Sequence, residues 1–181
     1  MGQAHTYCEV INRMKPDDHN VHKIYHDQHY GFPIHDDNEL FCRLVLEINQ
    51  AGLSWTTILK RQDNFRKVAA YKDKDVLRLL NNAGIIRNRL KINAAIENAK
   101  TILTLQKEFG SFKTWLDQHH PKNKAEWTAL FKKTFRFTGG EIVNEFLLST
   151  GYLPGAHHEG CVIYKKIIKS KPSWKTIKNH D

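Results

Sequence analysis

The sequence predicts an all-α protein. Two observations carry that prediction. Apolar residues recur at helical spacing along most of the chain, and Gly, Pro and Asp separate the apolar stretches where a sheet protein would have regular short turns. At 181 residues the chain is long enough for one substantial core or for two small lobes, and a single folding unit is expected.

The elements follow in order. Asp36 and Glu39 have capping-box spacing ahead of a helix whose apolar stripe is Leu40, Phe41, Leu44, Val45 and Ile48 and which ends near Ala51-Gly52. A second helix is expected from Thr56 to Tyr71. A third starts with Asp73 or Asp75 as its N-cap and carries Val76, Leu77, Leu79 and Leu80. Asn81-Asn82-Ala83-Gly84 breaks that helix. A long one follows from about Asn88 to Glu108, with Leu90, Ile92, Ala95, Ile96, Ala99, Ile102, Leu103 and Leu105 as its apolar positions. Shorter helices, Phe112 to Leu116 and Lys124 to Lys133, flank the polar QHHPKN loop, and Gly139-Gly140 opens another through Ile142, Val143, Phe146 and Leu147. The closing VIYKKIIKSKPSWKTIKNHD carries six lysines and reads as a basic arm or as a partly ordered solvated tail.

Composition narrows the class of function. Hydrophobic and charged residues make up 40% and 26% of the chain, ordinary globular values that exclude wholesale disorder and fibrous repeats. No run approaches the ~18 apolar residues of a membrane span, and MGQAHTYCEV lacks the apolar stretch of a signal peptide, so a cytoplasmic protein with no membrane partner is expected. The three cysteines, Cys8, Cys42 and Cys161, are too few and odd in number for a disulfide framework, which leaves metal binding or burial. A formal charge of +9, from 28 Lys+Arg against 19 Asp+Glu, attracts polyanions or merely keeps the surface soluble.

Three constellations carry potential chemistry. In LLNNAGIIRNRLKI, the turn at Gly84 precedes a helix start flanked by Arg87, Arg89 and Lys91. Backbone N–H groups and the helix dipole bind phosphate at such a start, although an ordinary helical corner with solvated charges has the same pattern. Glu47 falls beside Leu40, Leu44 and Ala51 at the margin of a buried stripe. A carboxylate there needs a hydrogen-bonding, ion-pair or ligand partner; an internal salt bridge would serve. Trp55, Tyr25 and Tyr30 are near it in sequence, and rings beside a buried acceptor suit a flipped base. Finally, Cys8 with His26 and His157 with Cys161 make a possible tetrahedral Cys2His2 set. Among eleven histidines, His22, His29 and His158 fit the same spacing argument.

Four segments together resemble the bacterial 3-methyladenine DNA glycosylase type I family, a branch of the helix-hairpin-helix DNA glycosylases: YHDQHYGFP (25–33), LFCRLVLEINQAGLSWTTILK (40–60), NAGIIRNRLKI (82–92) and FRFTGGEIVNEF (135–146). The resemblance spans most of residues 20–161. It implies an all-α helix-hairpin-helix glycosylase fold: a helical lobe over 36–150 with its hairpin near 82–92, a second lobe from 1–35 and 151–165 in which zinc clamps the two termini, and a basic tail over 166–181. It further implies structural zinc on Cys8, His26, His157 and Cys161, with Glu47 as acceptor for the adenine edge and Tyr25, Tyr30 and Trp55 as base-lining groups. Gly84, Arg87, Arg89 and Lys91 would hold DNA, and a monomer would hydrolyse the N-glycosidic bond of 3-methyladenine in double-stranded DNA. N3-methylation makes the purine cationic and a good leaving group, so selection can rest on binding. No lysine is marked as a Schiff-base nucleophile, so hydrolysis without strand cleavage is expected.

The sequence departs from the family pattern at several places. His29-Tyr30 stands where Glu-Trp is usual, Val10 where an aromatic is, Ile48 where a small residue is common, and Asn144 and Leu148 where Tyr and Gln often occur. The Trp115–Phe135 segment is also short. These changes touch the pocket and its rim, so a DNA-binding or damage-recognition module of the same fold with lost or altered glycosylase activity is the alternative.

Overall fold

The computed structural model describes residues 7–14, 20–49 and 65–176. Among them every regular element is helical: α1 (Tyr7–Asn12), α2 (Val21–Gln28), α3 (Asp37–Asn49), α4 (Phe65–Ala69), α5 (Asp73–Leu80), α6 (Arg89–Phe109), α7 (Phe112–His119), α8 (Lys124–Thr134), α9 (Gly140–Ser149), α10 (Tyr164–Lys169) and a 3-10 turn at Ser173–Lys175. No helix among these residues is long and apolar enough to cross a membrane. The chain divides into two compact units, Ile34–Phe146 and the pairing of Met1–Pro33 with Leu147–Asp181.

The 34–146 unit is organised on α6, which packs against α3, α4, α5 and α7. Its start is set by Asn88, whose side chain accepts from the Leu90 and Lys91 N–H groups at 2.9 and 3.2 Å. Its end is set by Gly110, which takes a φ of +86° that a side chain disfavours. Ile92, Ile96, Ala99 and Ile102 give α6 a buried face at helical spacing. An aromatic cluster closes the core, with Phe131 5.3 Å from Phe135 and 5.5 Å from Phe146, and Trp115 meeting Phe135 edge-on at 5.7 Å.

Two buried polar side chains tie distant parts of this unit together. Asp37, in the first turn of α3, accepts from the Phe112 and Lys113 N–H groups at 2.9 and 3.0 Å and from the Gln106 amide at 2.6 Å. It thereby serves as an acceptor for the orphan amides at the start of α7. Asn98, fully buried on α6, accepts from the Arg136 N–H at 2.7 Å and donates to the Arg136 carbonyl at 3.0 Å, which fixes the FRFTGG turn, where Phe137 has a φ of +62°.

In the other unit, α1 packs on α2, and Asn20 caps α2 through the His22 and Lys23 N–H groups. Gly31 brings two stretches of chain into close approach: its φ is +83°, its N–H donates to the Ser149 carbonyl, and a Cβ there would meet Ala156 Cβ at 2.8 Å. A small apolar cluster of Cys8, Cys161, Ile163 and Ile167 seats α10.

The expected helices recur with shifted ends. The Asp36 side chain accepts from the Glu39 N–H at 2.9 Å, as the capping-box spacing predicts. The third helix, however, is capped from Lys72 and takes Asp73 and Asp75 into its first turn, where they complement the positive end of the dipole. The fourth begins after its N-cap Asn88, and the fifth runs on to His119, beyond Leu116. Of the helix expected over Thr56 to Tyr71, Phe65–Ala69 is seen as helix; residues 50–64, and with them Trp55, lie outside the described residues. The sequence alone left the C-terminal tail as an arm or a partly ordered tail; α10 and the 3-10 turn give it regular structure as far as Lys175.

Candidate functional site

Four residues that are far apart in sequence converge in one unit. Cys8 comes from α1, His26 from the last turn of α2, and His157 and Cys161 from the loop between α9 and α10. All four are buried, and one ligand atom from each lies within 4.8 Å of all the others. The His157 Nδ1 is 3.5 Å from Cys8 Sγ and 3.4 Å from Cys161 Sγ, and Cys161 Sγ is 3.8 Å from His26 Nε2. Ligands at ordinary zinc bond lengths and tetrahedral angles would stand about 3.6 Å apart for a sulfur–nitrogen pair. The observed separations match that figure.

The far side of each imidazole settles which nitrogen faces the cluster. His157 Nε2 is 2.8 Å from the Tyr30 carbonyl, which can only accept, so Nε2 carries the proton and Nδ1 presents its lone pair inward. His26 Nδ1 lies 2.7 Å from the Asp27 carboxylate, which leaves Nε2 toward Cys161. This is how outer partners orient metal-binding histidines. Burial, with smaller contributions around it, keeps the His157 pKa below its usual value, so the ring is neutral. Burial also pushes the Cys8 thiol up to about 11, so ionising it needs a cation beside it. The group is thus a buried Cys2His2 set able to hold a metal.

The sequence alone did not single out Asp27, although it is adjacent to His26, or Tyr7, whose ring meets His26 edge-on at 5.5 Å. Tyr30 packs here as well, with its ring 5.7 Å from those of His157 and Tyr25. Tyr25 is fully buried, stacked 6.4 Å from His29.

In the 34–146 unit, Glu47 lies in the last turns of α3 and is 3% exposed. Neither carboxylate oxygen has a hydrogen-bond partner among the described residues. Burial raises its pKa to about 8; the negative charge of Glu145 adds to that rise and Arg43 offsets part of it. Arg43, one turn earlier, ion-pairs with Glu39 at 3.8 Å. Glu145 was not visible as a neighbour from sequence spacing, since α3 and α9 are separated by the whole of the unit's middle.

The hairpin between α5 and α6 brings Gly84, Arg87, Arg89 and Lys91 into one short stretch. Arg87 and Arg89 are exposed. The Gly84 N–H is committed to the Asn82 side chain at 2.9 Å, and Lys91 is buried, with its ammonium 5.8 Å above the centre of the Phe137 ring.

Residues 15–129 match the family model for methyladenine glycosylase. The chain belongs to the methyladenine glycosylase family. It is 36% identical to DNA-3-methyladenine glycosylase 1 of Escherichia coli, with 77% of this chain and 89% of that protein covered. It is 31% identical to DNA-3-methyladenine glycosylase of Haemophilus influenzae, over 73% of this chain and 86% of that one. Its fold is similar to the crystal structure of a point variant of 3-methyladenine DNA glycosylase I in complex with 3-methyladenine. The TM-score is 0.69 and the identity 27%, with 81% of this chain and 94% of that one covered.

Proposed function

We propose that this protein is a DNA base-excision repair enzyme that hydrolyses the N-glycosidic bond of 3-methyladenine in DNA and leaves the phosphodiester backbone intact. The observation that carries the reading is Glu47: a buried carboxylate without a hydrogen-bond partner among the described residues, in a chain whose family members are named for 3-methyladenine. Leaving such a group unsatisfied costs free energy in the unliganded protein, and a site keeps that cost when a ligand supplies the missing partner.

A 3-methylated adenine suits that carboxylate chemically. It is cationic, its exocyclic amine donates hydrogen bonds, and it lowers the pKa of a carboxylate that receives it. Unmodified adenine offers the amine without the charge. Tyr25, Tyr30 and Trp55 are the rings proposed to line or stack on the base. In the reaction the C1′–N9 bond breaks with its electron pair going to the departing base, which becomes neutral. Water then adds to C1′ and loses a proton, leaving a hydroxyl on the sugar. The base's own charge drives departure, so Glu47 acts by holding and selecting the base.

Gly84, Arg87, Arg89 and Lys91 are proposed to hold the DNA backbone at the hairpin; the exposure of the two arginines supports this, while the Gly84 N–H bonded to Asn82 and the Lys91 ammonium over Phe137 would have to exchange those contacts for phosphate. Cys8, His26, His157 and Cys161 are proposed to hold structural zinc, supported by their 3.4–3.8 Å spacing and by the outer partners Tyr30 and Asp27. The ion would supply a cross-link between the N-terminal and C-terminal stretches.

The experiment is release of free 3-methyladenine from methylated duplex DNA by the purified protein. Release well above a buffer blank supports the enzyme. Salt-sensitive duplex binding without release would instead support a damage-recognition module of the same fold.

A further inference from the structure

The stretch from Gly160 to Thr176 contains five lysines, Lys165, Lys166, Lys169, Lys171 and Lys175, and no acidic residue. All five are exposed, and none is in an ion pair among the described residues. Nothing in the function proposed above uses them.

The backbone that carries these lysines is fixed. Ile163 and Ile167, one helical turn apart, are both 3% exposed and pack with Cys8 and Cys161. Lys165 and Lys169 are also one turn apart, and helical phase sets Lys165 about 200° from Ile167, on the opposite side of α10. Beyond α10, Pro172 is buried against Gly151, and the Trp174 N–H donates to the Gly151 carbonyl at 3.2 Å. Lys171, at a φ of +55°, turns the chain between these two anchors. The lysines are therefore displayed from an ordered scaffold, so little backbone entropy is lost when a partner engages them.

The chemistry of the surface points to a phosphate backbone. Lysine is a flexible point charge suited to non-directional phosphate contacts, and the segment contains no arginine for bidentate reading. An interfacial membrane helix needs a continuous outward apolar face; here Ile163, Ile167 and Pro172 are turned inward, and the single strongly exposed Val162 precedes α10 and makes no such face. We propose that residues 160–176 form a second DNA-backbone-contacting surface, additional to the hairpin, in which Lys165, Lys166, Lys169, Lys171 and Lys175 neutralise phosphates of the duplex. This rests on the reading of the protein as a DNA glycosylase and extends its DNA contact into the other unit of the chain.

Two measurements on the full-length protein test it. In the first, surface lysines are acetylated with and without an undamaged duplex, and modification is read residue by residue by mass spectrometry. Protection of most of the five is expected; reactivity unchanged by duplex overturns the proposal, as does protection by phosphatidylglycerol vesicles alone. In the second, duplex affinity is followed against salt for the wild type and for a variant with all five lysines changed to Gln. Each phosphate contact contributes about 0.9 to the slope of log K against log salt, so the variant's slope is expected to be shallower by about 2 or more. An identical slope, in a variant whose melting temperature matches the wild type, overturns the proposal. The glycosylase reading is judged separately by release of free 3-methyladenine from methylated duplex by the wild type, which does not depend on the outcome at these lysines.

Discussion

Asp37 and Glu47 are buried carboxylates near the two ends of α3, and among the described residues donors reach only one of them. Asp37 receives two backbone N–H groups and the Gln106 amide, whereas both oxygens of Glu47 are without partners among the described residues. The same side-chain chemistry on one helix thus serves architecture at one end, while at the other it is the group proposed to receive the base.

Asp37→Ala leaves the amides of Phe112 and Lys113 and the Gln106 side chain without their acceptor. The expected loss is roughly 2–4 kcal/mol of stability, measured by urea unfolding. Base release per folded molecule should be unchanged, because Asp37 acts on the start of α7. A loss of activity in fully folded Asp37→Ala would contradict that assignment.

Glu47 makes stability depend on pH in a defined direction. Its folded pKa, about 8, lies above its ordinary carboxylate value of 4.5, so between those values the unfolded chain has lost a proton that the folded protein keeps. Stability therefore falls as pH rises from about 4.5 to about 8 and levels beyond. The total contribution is on the order of a few kcal/mol. Glu47→Gln removes this dependence: its melting temperature relative to wild type should rise from pH 5 to pH 8, and a constant difference would show that Glu47 is not held protonated.

Glu145 tunes the same group. Burial is the larger cause of the raised pKa and Glu145 the second, so Glu145→Gln should lower the Glu47 pKa and move the alkaline-going limb of kcat/KM for base release toward lower pH. The pH profile checks this. A profile that drops in height without moving would assign Glu145 to packing.

Removing the metal-binding set should destabilise the unit that carries it. Cys161→Ser is expected to abolish stoichiometric zinc in metal analysis, and a chelator should lower the melting temperature of the wild type but not of the variant. Gly31→Ala tests the same centre through the backbone. Its Cβ would stand 2.8 Å from Ala156 and 3.3 Å from the His157 ring at a φ of +83°, so lowered metal occupancy is expected. Full occupancy with an unchanged melting temperature would show that the loop yields.

Helical class and order were legible because periodicity and capping act locally: the Asp36 side chain caps the Glu39 N–H and the Asn81–Gly84 break appears where its chemistry predicts, although the Glu39 carboxylate turns to Arg43. The Cys8, His26, His157 and Cys161 set was visible from spacing as one possibility among several, and the family resemblance implied it. Spacing alone left His22, His29 and His158 equally eligible, and what excludes them is three-dimensional, the convergence of α1, α2 and the loop before α10. Asp37 and Asn98 were not foreseen, since their partners lie 75 and 38 residues away. For Lys91, proposed from the sequence as a phosphate contact, the packing of its ammonium over Phe137 was not foreseen, since Phe137 lies far along the chain at a φ of +62°. A lysine stem buries readily when an aromatic face receives its charge.

The most direct test compares wild type and Glu47→Gln for release of free 3-methyladenine from methylated duplex DNA near pH 8. The account predicts robust release by the wild type. It predicts a loss of about 10- to 150-fold in kcat/KM for the variant, the equivalent of one charged hydrogen bond at 1.5–3 kcal/mol. Equal release by the two proteins, or none by a folded wild type that binds DNA, would contradict it.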